Sequence, residues 1–328
     1  MTISFNNVYI KEKAVAGGPY IKDGPLKKYL DCTYDDFYDG EKTFEDAEIK
    51  ELNKCIDILI NKDTINKDDI DIVISSDLSN ELMISNIVNK KLGLPYLGLY
   101  NACASYVEEL IIGSSLLRQK KIKNILLTTS SHNLTAERQY RYPIEYGTVK
   151  KEYQTFTVTS NTASILTSKK SDIKVESATI GKVVDLGITD SSDLGSAMAP
   201  AAASTLYNHL KDTNRKPNYY DLILTGDLGK YGKDIFKEYV KEEYDIKLNN
   251  YNDSGVLVYD MKNDDVMAGG SGVSCLPTYF LTKIYNDMKE GKIKRVLLLA
   301  TGALHSTTLV NQKKSIPCIC HAVSVEAE

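Results

Sequence analysis

The chain has no tryptophan, few histidines and no excess of positive charge. Its 328 residues carry 40 lysines and arginines against 44 aspartates and glutamates, so the formal net charge is −4. Proteins that bind nucleic acid neutralise phosphates with a basic surface, and this balance therefore disfavours a nucleic-acid partner. Hydrophobic residues make up 42% of the chain and charged residues 26%, as is typical of a globular protein.

Long apolar runs are also missing. No stretch approaches the ~20 residues that a helix needs to cross a bilayer. The segment Met1–Asn7 lacks the basic and apolar regions of a signal peptide. We therefore expect no transmembrane segment of its own, and any membrane role would pass through partners. The six cysteines are scattered and form no C-x-x-C pair, which predicts free thiols in a reducing compartment.

The chain alternates between segments typical of helices and of buried strands. Apolar residues at helical spacing predict a helix over 43–62, with Thr43 as its N-cap. A run of branched residues predicts a buried strand over 70–74. The alternation continues with a helix over 81–92, a strand over 96–99, a helix over 103–119 and a strand over 124–129. This pattern indicates an α/β fold with a mainly parallel, covered sheet.

Two short motifs recur in the same order in the two halves of the sequence. Asp71–Leu78 resembles Asp221–Leu228, and Lys121–Leu127 resembles Lys292–Leu298. The second half carries 21 additional residues between its motifs, which we place around 245–266. We therefore predict two duplicated halves, 1–172 and 173–328, that share one site and do not fold separately. The alternative is that unrelated βα units simply resemble each other.

Cys103 is the most distinctive residue of the first half, within Asn101–Ser105. A cysteine at a strand-to-helix junction is expected to have its pKa lowered by the helix N-terminus, which would make it a nucleophile. The alternative is a small residue that packs in a tight turn. The duplication predicts a second helix that begins near Ser271, after Gly270, so that two helix N-termini would favour an anion between them.

The segment from His132 to Tyr142 follows a predicted strand directly, where α/β proteins place ligand-binding loops. The guanidinium groups of Arg138 and Arg141 suit planar carboxylates, and the ring of Tyr142 suits stacking on a flat ligand. The same residue types are enriched at protein interfaces. Contact with a second subunit, as in a homodimer, is therefore an alternative that does not exclude the first.

Acidic residues recur at the ends of the repeated strands. Asp77 and Asp227 are the matched acids, and each is expected either to face a central cavity or, more commonly, to cap the following helix. The polar stretch 185–200 is expected to line a pocket or to serve as a capped connection. Cys318, Cys320 and His321 resemble a metal motif, but no partner pair lies at ligand spacing, so we expect a core strand and no metal site.

Long stretches of the sequence resemble the thiolase superfamily and, within it, the stage V sporulation AD family of spore-forming bacteria. The resemblance implies two βαβαβαββ halves that form a five-layer αβαβα sandwich. The stretches that carry it span nearly the whole chain: Lys22–Leu26, Ser130–Asn133 through Tyr142–Pro143, Asp185–Asp190, Gly195–Ala203, Ala268–Gly272 and Ser315–Cys318.

Cys103 matches the nucleophilic cysteine of the condensing enzymes in this superfamily. Those enzymes also use a histidine and a second histidine or asparagine, whose positions fall at about Gly226 and Gly270, and no histidine lies between 210 and 304. Loss of one oxyanion donor typically costs ~10²–10³ in rate. The resemblance therefore implies a binding protein on an enzyme fold. The alternatives are an acyltransferase with Cys103 as nucleophile and His132 as base, and a scaffold.

The resemblance further implies binding of dipicolinic acid, as its calcium chelate, for uptake into the developing spore. It implies no cofactor besides the calcium that arrives with the ligand, and partners among other SpoVA-type membrane proteins. The expected location is cytoplasmic or peripheral on the inner membrane of the forespore or spore. The residues expected to bind the ligand are Asp77, Cys103, His132, Arg138, Arg141, Tyr142, Asp227, Gly270 and Ser271.

Overall fold

The computed structural model describes residues 1–141 and 149–328. The strands are β1 (Thr2–Ser4), β2 (Tyr9–Gly17), β3 (Cys32–Thr33), β4 (Ile72–Asp77), β5 (Tyr96–Gly98), β6 (Asn124–Ser131), β7 (Phe156–Thr157), β8 (Ser160–Thr167), β9 (Ile173–Thr179), β10 (Leu222–Thr225), β11 (Tyr251–Asp253), β12 (Gly270–Ser271), β13 (Arg295–Ala303) and β14 (Cys318–Ala327).

The helices are α1 (Phe44–Ile60), α2 (Met83–Leu92), α3 (Ser105–Leu116), α4 (Asn133–Tyr140), α5 (Leu194–Thr213), α6 (Gly229–Tyr244), α7 (Cys275–Tyr279), α8 (Tyr285–Lys289) and α9 (Thr307–Asn311). A π-helical turn, Phe280–Ile284, joins α7 to α8 without a break. Within the described residues, no helix has the length and apolarity to cross a membrane.

The two halves of the chain build the same five-stranded sheet. In the first half the order is β2-β8-β6-β4-β5, and in the second half it is β9-β14-β13-β10-β11. Both sheets have two antiparallel pairs followed by two parallel pairs. The sheets touch edge to edge where Tyr9 and Ile10 of β2 pair with β9. The duplicated βαβαβαββ plan is thereby confirmed.

The structure has five layers: the outer helices of the first half, the first sheet, the central helices, the second sheet and the outer helices of the second half. Three apolar clusters fill the space between these layers. α3 and the continuous α7–α8 helix pack between the two sheets, for example through the rings of Tyr106 and Phe280, whose centroids are 6.4 Å apart. α1 and α2 cover the outer face of the first sheet, and α5 and α6 cover the outer face of the second. Because neighbouring strand residues point to opposite faces, Leu126 packs outward whereas Ile125 and Leu127 pack inward.

Local signals in the sequence locate several elements well. The Thr43 side chain accepts a hydrogen bond from the Asp46 N–H at the start of α1, and Gly93 ends α2 with φ +70°. Cys318 and Cys320 lie in β14 and pack in the outer cluster of the second half, so the predicted core strand is confirmed.

Three expectations about local structure are wrong. His132–Arg141 is not a loop, because residues 133–140 form α4. Ser271 does not begin a helix, since it lies in the short strand β12, which pairs with β7, and α7 starts only at Cys275. The additional length of the second half lies mainly in residues 254–274, between β11 and α7, which is later than expected. That the halves 1–172 and 173–328 do not fold separately stays a prediction.

Several carboxyl groups are buried between α1, α3 and the first sheet. The hydroxyls of Ser130 and Thr135 donate to the Glu48 carboxyl at 2.7 and 2.8 Å, and Asn161 donates to Glu51 at 3.1 Å. Burial, with the nearby Asp77 carboxylate, raises the pKa of Glu48 to about 8. Burial likewise raises the pKa of Glu51 well above its usual range.

The Glu48 carboxyl predicts a loss of stability with rising pH. Its folded pKa lies above the unfolded value, so the folded state holds a proton that the unfolded state releases above pH ~4.5. The free energy of unfolding should therefore fall as the pH rises from about 5 to about 8. Urea unfolding at pH 5 and pH 8 should show a smaller decrease for Glu48→Gln than for wild type. Glu45→Gln, at a partly exposed residue of the same helix, is the control, and equal decreases in all three proteins would contradict this account.

Candidate functional site

A cavity of about 190 Å³ lies where the two halves meet, at the amino-terminal end of α3. Its wall is mostly apolar, and each half contributes eight of the residues that line it. The first half contributes Leu78, Tyr100, Ala102, Cys103, Ala136, Tyr140, Arg141 and Thr157. The second half contributes Ser191, Leu194, Met198, Ser271, Gly272, Ala303, Leu304 and His305.

Cys103 is held in the cavity wall by a strained turn. Ala102, immediately before it, has φ +48°, which is costly for a residue with a Cβ. The Asn101 side chain is 2.9 Å from Nε2 of His321 on β14, which ties the turn to the second sheet. Gly302 of β13 allows this approach, because a Cβ there would lie 2.7 Å from the Asn101 carbonyl oxygen.

The Cys103 thiol is not activated in the way that its position suggested. Burial and the nearby Asp227 carboxyl raise its pKa well above the ordinary value, although the Gly272 N–H and Arg141 act in the opposite direction. The expected lowering by the helix N-terminus is therefore wrong, since the cost of placing a thiolate in this apolar environment is larger. At neutral pH the cysteine is a thiol.

Asp227 lies behind Cys103 and does not line the cavity. It has no solvent exposure, its φ is +72°, and neither carboxyl oxygen has a hydrogen-bond partner among the described residues. Burial and the neighbouring Asp253 raise its pKa well above the usual range. The expectation that Asp227 faces the cavity is therefore wrong, although its charge state acts on Cys103.

Arg141 and Arg138 point in different directions from α4. Arg141 borders the cavity, is largely buried, and forms an ion pair with Glu137 and a 3.3 Å hydrogen bond to the Thr155 carbonyl through the same Nη1 atom. Arg138 instead bonds to Glu45 of α1 at 3.1 Å on the partly exposed outer side. The structure thus brings one of the two predicted arginines to the site.

Two tyrosines that the sequence did not single out form a flat part of the wall. The hydroxyls of Tyr100 and Tyr140 are hydrogen-bonded to each other, and the Tyr140 hydroxyl also donates to the Leu78 carbonyl at 2.6 Å. Tyr100 is 48% exposed, so it lies where the cavity opens to the surface. Tyr142, which was predicted to stack on a ligand, lies outside the described residues.

His305 is the functional candidate that sequence reasoning missed. It follows the end of β13 and borders the cavity, with its ring edge-on to Tyr140 at a centroid distance of 5.5 Å. Burial and Arg141 lower its pKa to about 4, so it is neutral at pH 7. The repeat contains a signal for it, since a histidine follows the end of β6 and the end of β13 within two residues, at His132 and His305.

Three further predicted residues lie elsewhere. His132 is buried and caps α4 through Nδ1, while Nε2 lies 2.9 Å from the Phe37 carbonyl oxygen, so both ring nitrogens are used in the fold. The Asp77 carboxylate accepts hydrogen bonds from the N–H groups of Ser79 and Ser85, so the common capping role is correct. Gly270 packs against Val258 behind the wall, and the neighbouring Gly272 lines the cavity in its place.

The polar stretch 185–200 combines both of its predicted roles. Asp193 caps α5 by accepting from the Ser196 N–H at 3.3 Å, and the adjacent Ser191, Leu194 and Met198 line the cavity. Across residues 1–141 and 149–328, no three histidine, cysteine, aspartate or glutamate side chains gather as they would to hold a metal ion. His321 is on the opposite face of β14 from Cys318 and Cys320 and bonds to Asn101.

Comparison with known proteins identifies the family of the chain. The family model of stage V sporulation protein AD matches residues 1–326. The chain belongs to the stage V sporulation protein AD family. The stage V sporulation protein AD of Bacillus subtilis (strain 168) is 42% identical over 319 residues, which cover 97% of this chain and 94% of that protein.

Solved structures similar to this family member are condensing enzymes. The 3-oxoacyl-[acyl-carrier-protein] synthase III of Aquifex aeolicus VF5 has a TM-score of 0.58 at 13% identity and covers 97% of this chain and 99% of its own. A variant of OleA from Xanthomonas campestris has a TM-score of 0.62 at 15% identity and covers 99% and 98%. At this level of identity the likeness establishes the thiolase fold alone.

The positions where the resemblance places the missing catalytic side chains are filled by packing. A Cβ on Gly226 would lie 3.0 Å from Leu276 Cβ, and a Cβ on Gly270 would lie 2.6 Å from a methyl group of Val258. A longer polar side chain at either position would displace the apolar neighbours. The polar side chains that line the cavity of this family member instead include Cys103, Arg141, Ser271 and His305.

The raised pKa of Cys103 predicts slow alkylation. Only the thiolate reacts, so modification of Cys103 by iodoacetamide at pH 7.5 should be at least about tenfold slower than that of free cysteine. Asp227→Asn should speed the reaction, because it removes an ionisable carboxyl group whose negative charge opposes the thiolate. Peptide mass spectrometry measures the rate at this site alone. A wild-type rate equal to or above that of free cysteine would show that the thiol is activated.

Proposed function

We propose that the protein acts in sporulation by binding dipicolinate in this cavity, for delivery of the ligand to the developing spore. Dipicolinate is a planar pyridine with two carboxylates, and the family is associated with its uptake. The observation that carries the proposal is a buried guanidinium, that of Arg141, in an otherwise mostly apolar cavity next to aromatic walls. An arginine in such a site is suited to a planar carboxylate.

The size and shape of the cavity favour a small, flat ligand. Its volume of about 190 Å³ is below the roughly 300–1,000 Å³ of typical ligand pockets, which suits a single ring better than a long chain. Tyr100 and Tyr140 supply aromatic surface, and Ser271 supplies a hydroxyl. Arg141 is already paired with Glu137, so the guanidinium is oriented before a ligand arrives and little ordering is needed on binding.

The proposal includes calcium because of the ligand, and it includes partner proteins because of the family. We propose that calcium arrives as the dipicolinate chelate, in which the ligand's carboxylates hold the ion. Because the described helices are too short or too polar to cross a membrane, passage into the spore would depend on membrane proteins of the same sporulation system. The location then follows from that partnership, at the surface of the forespore or spore inner membrane.

The two arginines of α4 provide a matched test. Arg141→Gln should weaken dipicolinate binding by at least about tenfold, because a charge-assisted hydrogen bond contributes ~1.5–3 kcal/mol. Arg138→Gln should bind as wild type does, because Arg138 bonds to Glu45 away from the cavity. Isothermal titration calorimetry of the three proteins, with and without calcium, measures the change.

Each result of this titration has a clear meaning. Equal weakening in both variants would point to a general loss of positive charge and would contradict binding in the cavity. Full-strength binding by Arg141→Gln would place the ligand elsewhere on the protein. Absence of binding by the wild type in both the free and the chelated form would reject dipicolinate and leave a scaffold role for the fold.

Acyl transfer is the second candidate, because one cavity contains both Cys103 and His305 on the fold of condensing enzymes. A related structure, that of an OleA variant from Xanthomonas campestris, contains lauric acid and lauroyl-CoA. In this chain His132 is not available as the base, since both its nitrogens are bonded within the fold. The neutral thiol of Cys103 and the small cavity weigh against the reaction.

A trapping experiment tests acyl transfer directly. We expect incubation with short and long acyl-CoA thioesters to leave the intact mass unchanged, because Cys103 is held as a thiol. Cys103→Ala is the control for acylation at other residues. A mass increase equal to the acyl group, present in wild type and absent in Cys103→Ala, would favour the enzyme.

A further inference from the structure

One polar side chain of the cavity wall, His305, has no assigned role in the binding described above. Both of its ring nitrogens are shielded from solvent and have no hydrogen-bond partner among the described residues. A buried polar group without a partner costs ~1–3 kcal/mol, so such groups usually have a functional explanation. His209 and His132, by contrast, use both ring nitrogens within the fold.

The charges around the cavity do not balance a dianion. Arg141 is the positively charged residue of the described wall, and because it also pairs with Glu137 it can balance at most one carboxylate of a ligand. A planar dicarboxylate has both carboxyl groups ionised at neutral pH. Placing two negative charges in a mostly apolar cavity that offers one guanidinium is costly unless a further positive charge appears.

The described groups that face His305 do not supply that further positive charge, so the histidine itself is its source. Tyr140 contacts its ring, and Arg141 lies close enough to oppose its protonation. Tyr140 and Cys103 both stay uncharged at neutral pH, since burial raises the pKa of each. A bound carboxylate beside the ring would offset the repulsion from Arg141 and the cost of burial.

We propose that His305 takes up a proton from solvent when the cavity binds a planar dicarboxylate, so that the resulting imidazolium and the Arg141 guanidinium each neutralise one carboxylate. The proton adds to the ring nitrogen that lacks one, and no other bond changes. This inference rests on the proposed function and specifies the ligand class further. A monocarboxylate, or a chelate whose charge calcium already cancels, needs no such proton.

Binding is therefore coupled to pH in a defined direction. The unliganded histidine is neutral at pH 7, and the bound anion favours its charged form. Affinity for the free dianion should rise as the pH falls from 8 to 6, by at most tenfold per unit because one proton is linked. Affinity for the calcium chelate should change little over the same range.

Calorimetry in two buffers of different ionisation enthalpy that do not precipitate calcium, such as MES and imidazole, measures the proton uptake. At pH 6.5 the wild type should take up more than about half a proton with dipicolinate and none with picolinate, its monocarboxylate analogue. Dipicolinate with saturating calcium should also give no uptake. These comparisons use the wild-type protein alone, so they do not depend on the folding of a variant.

A matched pair of variants assigns the proton to a residue. His305→Gln should abolish the uptake and flatten the pH dependence of affinity. His209→Gln, at a buried histidine far from the cavity wall whose pKa is also lowered to about 4, should retain both. Thermal unfolding confirms that each variant is folded.

The outcomes separate this inference from the proposed function. Binding of dipicolinate without proton uptake, or with uptake that His305→Gln retains, would overturn the role of His305 and leave the binding function intact. Equal uptake with picolinate or with the calcium chelate would overturn the charge argument. Absence of any binding by the wild type would overturn both proposals.

Discussion

Burial of the two central helices on both sides is the constraint on which the rest of the structure depends. α3 and α7–α8 each pack against both sheets, so each half supplies part of the other's core. Helices in this layer need apolar side chains facing both sheets, as α3 has, and their ends are the places where charged chemistry can be located. The cavity lies at one such end, where α3 begins, and is therefore built from both halves.

The same burial determines the chemistry of the site. Cys103 lies at a helix N-terminus, which favours a thiolate, but the apolar surroundings and Asp227 favour the thiol by a larger amount. Asp227 and His305 are also shifted toward their neutral forms. The described part of the cavity wall thus contains one permanent cation, Arg141, which is paired with Glu137, whereas Cys103 and His305 are neutral at pH 7.

Sequence patterns located the elements better than they located the site. The repeated motifs led to the duplicated fold, and the position of Cys103 at the start of a helix led to the cavity. The sequence predicts one binding surface over His132–Tyr142, but α4 ends at Tyr140 and the backbone of Arg141 is no longer helical, so Arg138 and Arg141 point to different neighbours instead of sharing a helix face. His305 was missed because Leu304–Ser306 has no distinctive local pattern and becomes relevant only through its contact with Tyr140.

The sequence by itself determined the fold class, the family and which residues lie at the ends of the repeated strands. These follow from hydrophobic periodicity and long motifs, which are properties of residues close together in the chain. It also determined that second-half polar groups are lacking at Gly226 and Gly270. Only the tertiary structure decided which polar residues share the cavity and which are used in caps, as Asp77 and His132 are. The physical reason is that burial and long-range contacts set both the direction and the charge of a side chain. Burial and long-range contacts cannot be read from the residues next to it in the sequence.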